Sequence, residues 1–275
     1  MGSTLERPED DCRPAASTQR GGAVRRQFEK DSVFVLGCPR SGTTILTRQL
    51  THSRDAYFFT KEDVYRRLRP GRFLLESLRR KLGLASDLAG DKEHYGAEEY
   101  WYWKVRDGRR VRRLDAAMRG RVFVNKRIDN IQILGSIREQ FPRALFIQIV
   151  RDPRYVVASL LSKKRRALEK GAIFVPNRLR MEAGQLPELA CEAWNYYNHE
   201  IERHLRKDDL VVRYEDYVRE PSQFHRRVEE AVGIRLREKS DEIRNMNVTM
   251  VEDRGMVEDR CRDLMLRYRY LERSS

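Results

Sequence analysis

The sequence predicts an α/β fold, a central parallel sheet with helices on both faces. Three observations carry this. Short apolar runs recur from Val33 to Val212, and they are continuous rather than alternating, as strands buried on both faces are. Between the runs lie stretches with apolar residues at helical spacing, so strands and helices alternate along the chain. At 275 residues and 40% hydrophobic content the chain is long enough to bury a sizeable core.

The elements follow in order. Residues 1–28 are polar, contain Pro8, Pro14, Gly21 and Gly22, and lack apolar periodicity. They are expected to form a disordered arm ahead of a single domain over 29–275. Ser32–Leu36 is a buried strand that ends at Gly37, and Thr43–Thr51 is a helix. Ala56–Phe59 is a second short strand. Residues 63–118 are helical and basic, broken at Pro70-Gly71, Gly90, Gly96 and Gly108, and they hold the aromatic cluster Tyr100–Trp103. Those rings either line a pocket for a sugar or phenol or pack as helix core.

Arg121–Val124 is the third strand. Asn130–Phe141 has Ile131, Leu134, Ile137 and Phe141 at helical spacing and is stopped by Pro142. Ala144–Val150 is the clearest strand, and Asp152-Pro153 starts a helix with a side-chain acceptor at the N-cap and proline at N1. A long helix spans Gln185–Leu205, with Trp194 either packed in the core or stacked near a ligand. A strand at Asp209–Arg213 and helices at Pro221–Val232 and Val257–Tyr270 close the chain.

Composition narrows the function. Lys and Arg number 56 against 42 Asp and Glu, a formal charge of +14. Such an excess suits nucleic acid, anionic lipid or a polyanionic small ligand, or else a solvated arginine-rich surface. The basic residues are spread along the chain, not gathered in one tail. No apolar run approaches the ~20 residues of a membrane span, and no apolar segment near the start resembles a secretory leader. Cys12, Cys38, Cys191 and Cys261 are widely spaced without a CxxC. A disulfide scaffold and a zinc cluster are therefore not expected, and a cytoplasmic location is.

Two segments carry chemistry. Gly37-Cys38-Pro39-Arg40-Ser41-Gly42-Thr43-Thr44 joins a buried strand to a helix. The glycines allow a tight turn, and the helix N-terminus adds unpaired N–H donors and its dipole, so an anionic phosphate or sulfate is favoured. The pattern is close to the P-loop GxxxxGK[ST], which makes this a P-loop-type domain, but Thr43 stands where the lysine belongs and Arg40 lies inside the loop. A cradle without that lysine is not built for ATP hydrolysis. The second segment is Arg151-Asp152-Pro153-Arg154 with Ser159 two turns on. Arg151 sits at the carboxyl end of a strand, where ligands bind parallel sheets. A guanidinium and a hydroxyl there suit a second phosphate. Taken alone, the same residues also read as a helix cap and a self-bonded serine.

A strand-PRSGTT-helix followed about a hundred residues later by a strand-RDPR-x4-S helix resembles the sulfotransferases. The resemblance runs from about Val33 to Pro221 and takes in Asn125-Lys126, Phe141-Pro142-Arg143-Ala144 and Arg213-Tyr214-Glu215-Asp216-Tyr217-Val218. The arginine in PRSGTT is similar to that of the bacterial and tyrosylprotein branches. The resemblance implies transfer of a sulfuryl group from 3′-phosphoadenosine 5′-phosphosulfate (PAPS) to a hydroxyl or amine by in-line displacement, without a metal. It implies that Pro39, Arg40, Ser41, Gly42, Thr43 and Thr44 hold the 5′-phosphosulfate, and that Arg151, Ser159 and Lys163 hold the 3′-phosphate. Tyr214 matches a tyrosine that contacts the nucleotide. Lys126 matches a lysine assigned to the bridging oxygen, and Glu62, after the second strand, matches a general base.

Plainer readings remain for several of these. Lys126 is otherwise a surface lysine and Lys163 part of a solvated run. Tyr214 is otherwise a core ring, and Lys61-Glu62 a surface pair. His52 is the alternative base, or only a helix cap. The acceptor is expected to be a small molecule, glycan or peptide, and nucleic acid is not expected as a partner. A P-loop small-molecule kinase and a basic nucleic-acid-binding protein are the competing functions.

Overall fold

The computed structural model describes residues 30–57, 70–82, 121–169, 173–175, 185–236, 243, 245, 247 and 249–272. Five strands are present among them: β1 (Ser32–Leu36), β2 (Ala56–Tyr57), β3 (Val122–Asn125), β4 (Leu145–Val150) and β5 (Leu210–Arg213). They form one sheet in the order β2-β3-β1-β4-β5, and every adjacent pair is parallel. The continuous apolar runs account for this. In β1, β3 and β4 every residue is buried, so each side of the strand needs cover.

The sheet's two faces sort the residues by alternation. Phe34, Phe123, Phe146 and Val150 point to one core, and Val33, Val35, Val124, Ile147 and Ile149 to the other. On the first face lie α4 (Pro153–Lys163), the long α6 (Leu186–His204), and two C-terminal helices, α9 (Arg254–Arg260) and α10 (Arg262–Arg267). On the second lie α1 (Thr43–Thr51), α7 (Tyr214–Arg219) and α8 (Pro221–Val232), through Leu46, Leu50, Tyr217, Phe224 and Val228. Trp194 is fully buried on α6 and is a core residue under the site, its indole N–H donating to the Arg151 carbonyl at 2.9 Å.

Two expected helices are broken. Over Asn130–Phe141 a 3₁₀ turn (Ile128–Gln132) precedes α3 (Leu134–Gln140). The reason is local: the Asn130 amide donates to Asn125 Oδ1 at 2.7 Å, which holds the turn against the end of β3, and Ile133 leaves helical geometry at φ −137°. The C-terminal helix bends at buried Cys261, so that Val257 and Met265 both reach the same core. A short helix α5 (Arg165–Glu169) and α7 carry no sequence expectation. Within 63–118 the described part is α2 (Pro70–Lys81). The arm 1–28, Phe58-Phe59, and the cluster Tyr100–Trp103 lie outside the described residues.

Candidate active site

The loop from Gly37 to Gly42 connects β1 to α1 at the carboxyl edge of the sheet. Gly37 passes so close to β4 that a Cβ there would sit 2.6 Å from the Ile149 carbonyl oxygen. The Ser41 N–H closes a turn on the Cys38 carbonyl at 3.1 Å. Arg40 takes φ +77° and Gly42 φ +96°. The left-handed conformation costs a non-glycine residue about 1–2 kcal/mol, and neighbours hold Arg40 in it. Its carbonyl accepts from Arg151 Nη1 at 2.9 Å and its Nε donates to Ser159 Oγ at 2.9 Å. At Gly42 a Cβ would come 2.5 Å from the Tyr214 ring. Gly42 is the N-cap of α1 and has no side chain, so the first-turn N–H groups receive no side-chain cap. Ser41 Oγ is buried with no hydrogen-bond partner.

Arg151 follows β4. Burial holds its pKa below the ordinary guanidinium value, Tyr214 and Glu215 oppose this, and the charge of Arg40 adds to it. The guanidinium lies 4.7 Å from the centre of the Tyr214 ring, and its Nε donates to Asn247 Oδ1 at 2.7 Å. The next helix, α4, starts as expected: Asp152 caps it by accepting from the Arg154 N–H at 2.9 Å, with Pro153 behind. Arg154 is held by Asp152 and Glu258, and the Asp152 carboxylate raises its pKa.

A cavity of about 150 Å³ joins the two segments. Arg40, Gly42, Thr43 and Thr44 line it from the loop, Arg151, Ser159 and Lys163 from β4 and α4, and Tyr214 from the start of α7. Pro39 and Ser41 belong to the same loop. Lys126, after β3, is buried and donates to Thr44 Oγ1 at 3.0 Å, so it is not the surface lysine of the plainer reading. Tyr214 is buried, yet it walls the cavity. Lys163 is exposed at its rim. His52 follows the last turn of α1, about 13 Å along the axis from the loop at 1.5 Å per residue, and does not line the cavity. Glu62 and Lys61 lie outside the described residues.

Arg40 and Ser159, which come from the two separate segments, are hydrogen-bonded to each other, so the two segments form one continuous wall. The structure also brings in residues that sequence reasoning missed: Asn247 against Arg151, and Tyr270 through Glu215. Glu215 stood in a quoted motif, but nothing local marks Asn247 or Tyr270.

The model of the sulfotransferase family matches residues 32–238, which span every strand and the whole cavity wall. The chain belongs to the sulfotransferase family. No curated protein matches it. Among solved structures, the sulfotransferase domain from the curacin biosynthetic pathway is 18% identical over 81% of each chain, with a TM-score of 0.50. Sulfotransferase STF9 from Mycobacterium avium is 16% identical over 87% of this chain and 69% of its own, with a TM-score of 0.49. The first of these agrees with the parallel α/β sulfotransferase fold described above. Among the described residues no helix is long and apolar enough to cross a membrane.

Proposed function

We propose that this sulfotransferase uses PAPS as its donor and passes the sulfuryl group in line to a hydroxyl or amine of a small molecule, glycan or peptide, with 29–275 acting as one domain. The observation that carries the donor is the convergence of Arg40, Arg151, Ser159 and Lys163 on one cavity over an uncapped helix N-terminus. The residues fit a doubly phosphorylated nucleotide. Ser41 Oγ is buried without a partner, the wall at Gly42 admits no Cβ, and cations stand on both sides. The donor supplies an activated sulfuryl group with a phosphate leaving group. The chain's part is positioning and charge stabilisation.

In this reading the α1 N-terminus, Pro39, Ser41, Gly42, Thr43 and Thr44 hold the 5′ end, with Arg40 against its oxygens. Arg151, Ser159 and Lys163 hold the 3′-phosphate, and the Tyr214 ring bounds the nucleotide. Lys126, kept near the cradle by Thr44 Oγ1, stabilises charge that develops on the bridging oxygen. Glu62 takes the proton from the acceptor. The family membership favours this over a kinase or a nucleic-acid-binding protein, and Thr43 in place of the P-loop lysine further disfavours the kinase. The test is a thermal-shift titration without Mg²⁺ against 3′-phosphoadenosine 5′-phosphate, ATP and AMP. At about 100 times its dissociation constant the bisphosphate should add ~2.7 kcal/mol, with much less from AMP. Magnesium-dependent phosphate release from ATP would favour the kinase instead.

A further inference from the structure

Arg151 is held from the side away from the loop by a relay that ends in the C-terminal segment. Asn247 Oδ1 accepts from Arg151 Nε at 2.7 Å, and Asn247 Nδ2 donates to Glu215 Oε1 at 3.1 Å. The same Glu215 oxygen accepts the Asp152 N–H at 3.2 Å. Its other oxygen accepts from the Tyr270 hydroxyl at 2.7 Å. The Tyr270 ring faces the Arg213 guanidinium at 4.4 Å, and its hydroxyl also lies 3.3 Å from the Val150 carbonyl at the end of β4.

The order of charges along the relay is a cation, an amide and a carboxylate. The Asn247 amide offers an acceptor to Arg151 and a donor to Glu215 at once. An aspartate at 247 would face Glu215 with like charge. A direct Arg151–Glu215 ion pair would neutralise the cation needed by an anionic ligand. The inserted amide fixes the guanidinium and keeps the carboxylate one residue away. We infer that Asn247 is a positioning residue that aims Arg151 into the cavity, with Glu215 and Tyr270 orienting its amide. The C-terminal segment thereby sets selectivity for a nucleotide with a second phosphate. The inference rests on the donor reading above.

The test is calorimetric titration of the full chain with 3′-phosphoadenosine 5′-phosphate and with adenosine 5′-phosphosulfate, which lacks the 3′-phosphate. Misaiming a charge-assisted donor forfeits most of its bond, so Asn247→Ala should weaken the bisphosphate ~10-fold or more. The phosphosulfate should change by less than about threefold. Asn247→Asp should be at least as damaging, because it creates a like-charge contact with Glu215. Tyr270→Phe removes one hydroxyl at almost constant volume and should give a smaller loss in the same direction, ~2–5-fold. It keeps the test decisive should Asn247→Ala fold poorly. A merely structural role would lower the melting temperature and weaken both ligands equally, and that result overturns the inference, as does unchanged discrimination in all three variants. If the wild type itself does not prefer the bisphosphate, the donor reading falls first and the inference with it.

Discussion

Two strand-to-helix junctions sit side by side at the carboxyl edge of the sheet and are built in opposite ways. At β4–α4 the helix is closed on itself: Asp152 caps it, Pro153 removes an N–H, and Arg154 holds the cap from outside. At β1–α1 the helix is left open, with glycine at the N-cap and no side chain on its first-turn donors. Both leave an arginine on the cavity wall, yet only the open junction lacks a side-chain cap on its first-turn N–H groups. Sites of one topology thus divide the work. The open junction leaves first-turn N–H donors without a side-chain partner, and the capped one closes its own through Asp152.

Four changes test that division, from the largest expected effect to the smallest. The proposed base, Glu62, belongs to neither junction, so Glu62→Gln should leave both intact. Turnover should fall ~10²–10⁴-fold, with nucleotide affinity within about threefold, once an acceptor has been found by screening sugars, phenols and tyrosine peptides with labelled donor. Wild-type turnover in this variant would remove Glu62 from the chemistry. Gly42→Ala attacks the open junction. It places a methyl against the Tyr214 ring in a left-handed conformation. Denaturant titration should show a loss of about 2–4 kcal/mol, and nucleotide binding should be abolished.

Arg151→Ala spares both helix starts and removes one cation from the wall. A lost charge-assisted bond of ~1.5–3 kcal/mol predicts a tens-fold weaker bisphosphate, with adenosine 5′-phosphosulfate much less affected. Equal weakening of both ligands would separate Arg151 from the 3′-phosphate. Asp152→Ala opens the capped junction. Stability should fall by about 1–3 kcal/mol through the lost cap and the lost Arg154 partner, while affinity stays within about threefold. A strong effect on affinity would mean that α4 also presents its backbone to the ligand.

Legibility in the sequence followed the range of the forces involved. The strands β1 and β4 and the helices α1 and α8 were readable almost to the residue, because continuous apolar runs, glycine, proline and the Asp-Pro pair act within a few positions. The Gly37–Gly42 turn and the position of Arg151 at the end of β4 were readable because strand ends and helix starts carry their own motifs. The helix expected over Asn130–Phe141 starts later than its apolar spacing predicts because a side-chain bond to Asn125, which periodicity does not register, holds its first turn. Arg40 gave no sign of its positive φ, which the Arg151 and Ser159 contacts hold in place.

By itself the sequence determined the parallel sheet, its two buried faces and the two strand-to-helix segments that carry the motifs, since each rests on local periodicity or on a short motif. Only the tertiary structure decided that the segments share one wall, that Lys126 turns inward to Thr44, and that Asn247, Glu215 and Tyr270 converge behind Arg151. The Arg40–Ser159 and Arg151–Asn247 bonds join residues about a hundred positions apart. Pairings of that range are set by strand order and by which face each helix covers, and no local pattern in the chain encodes them.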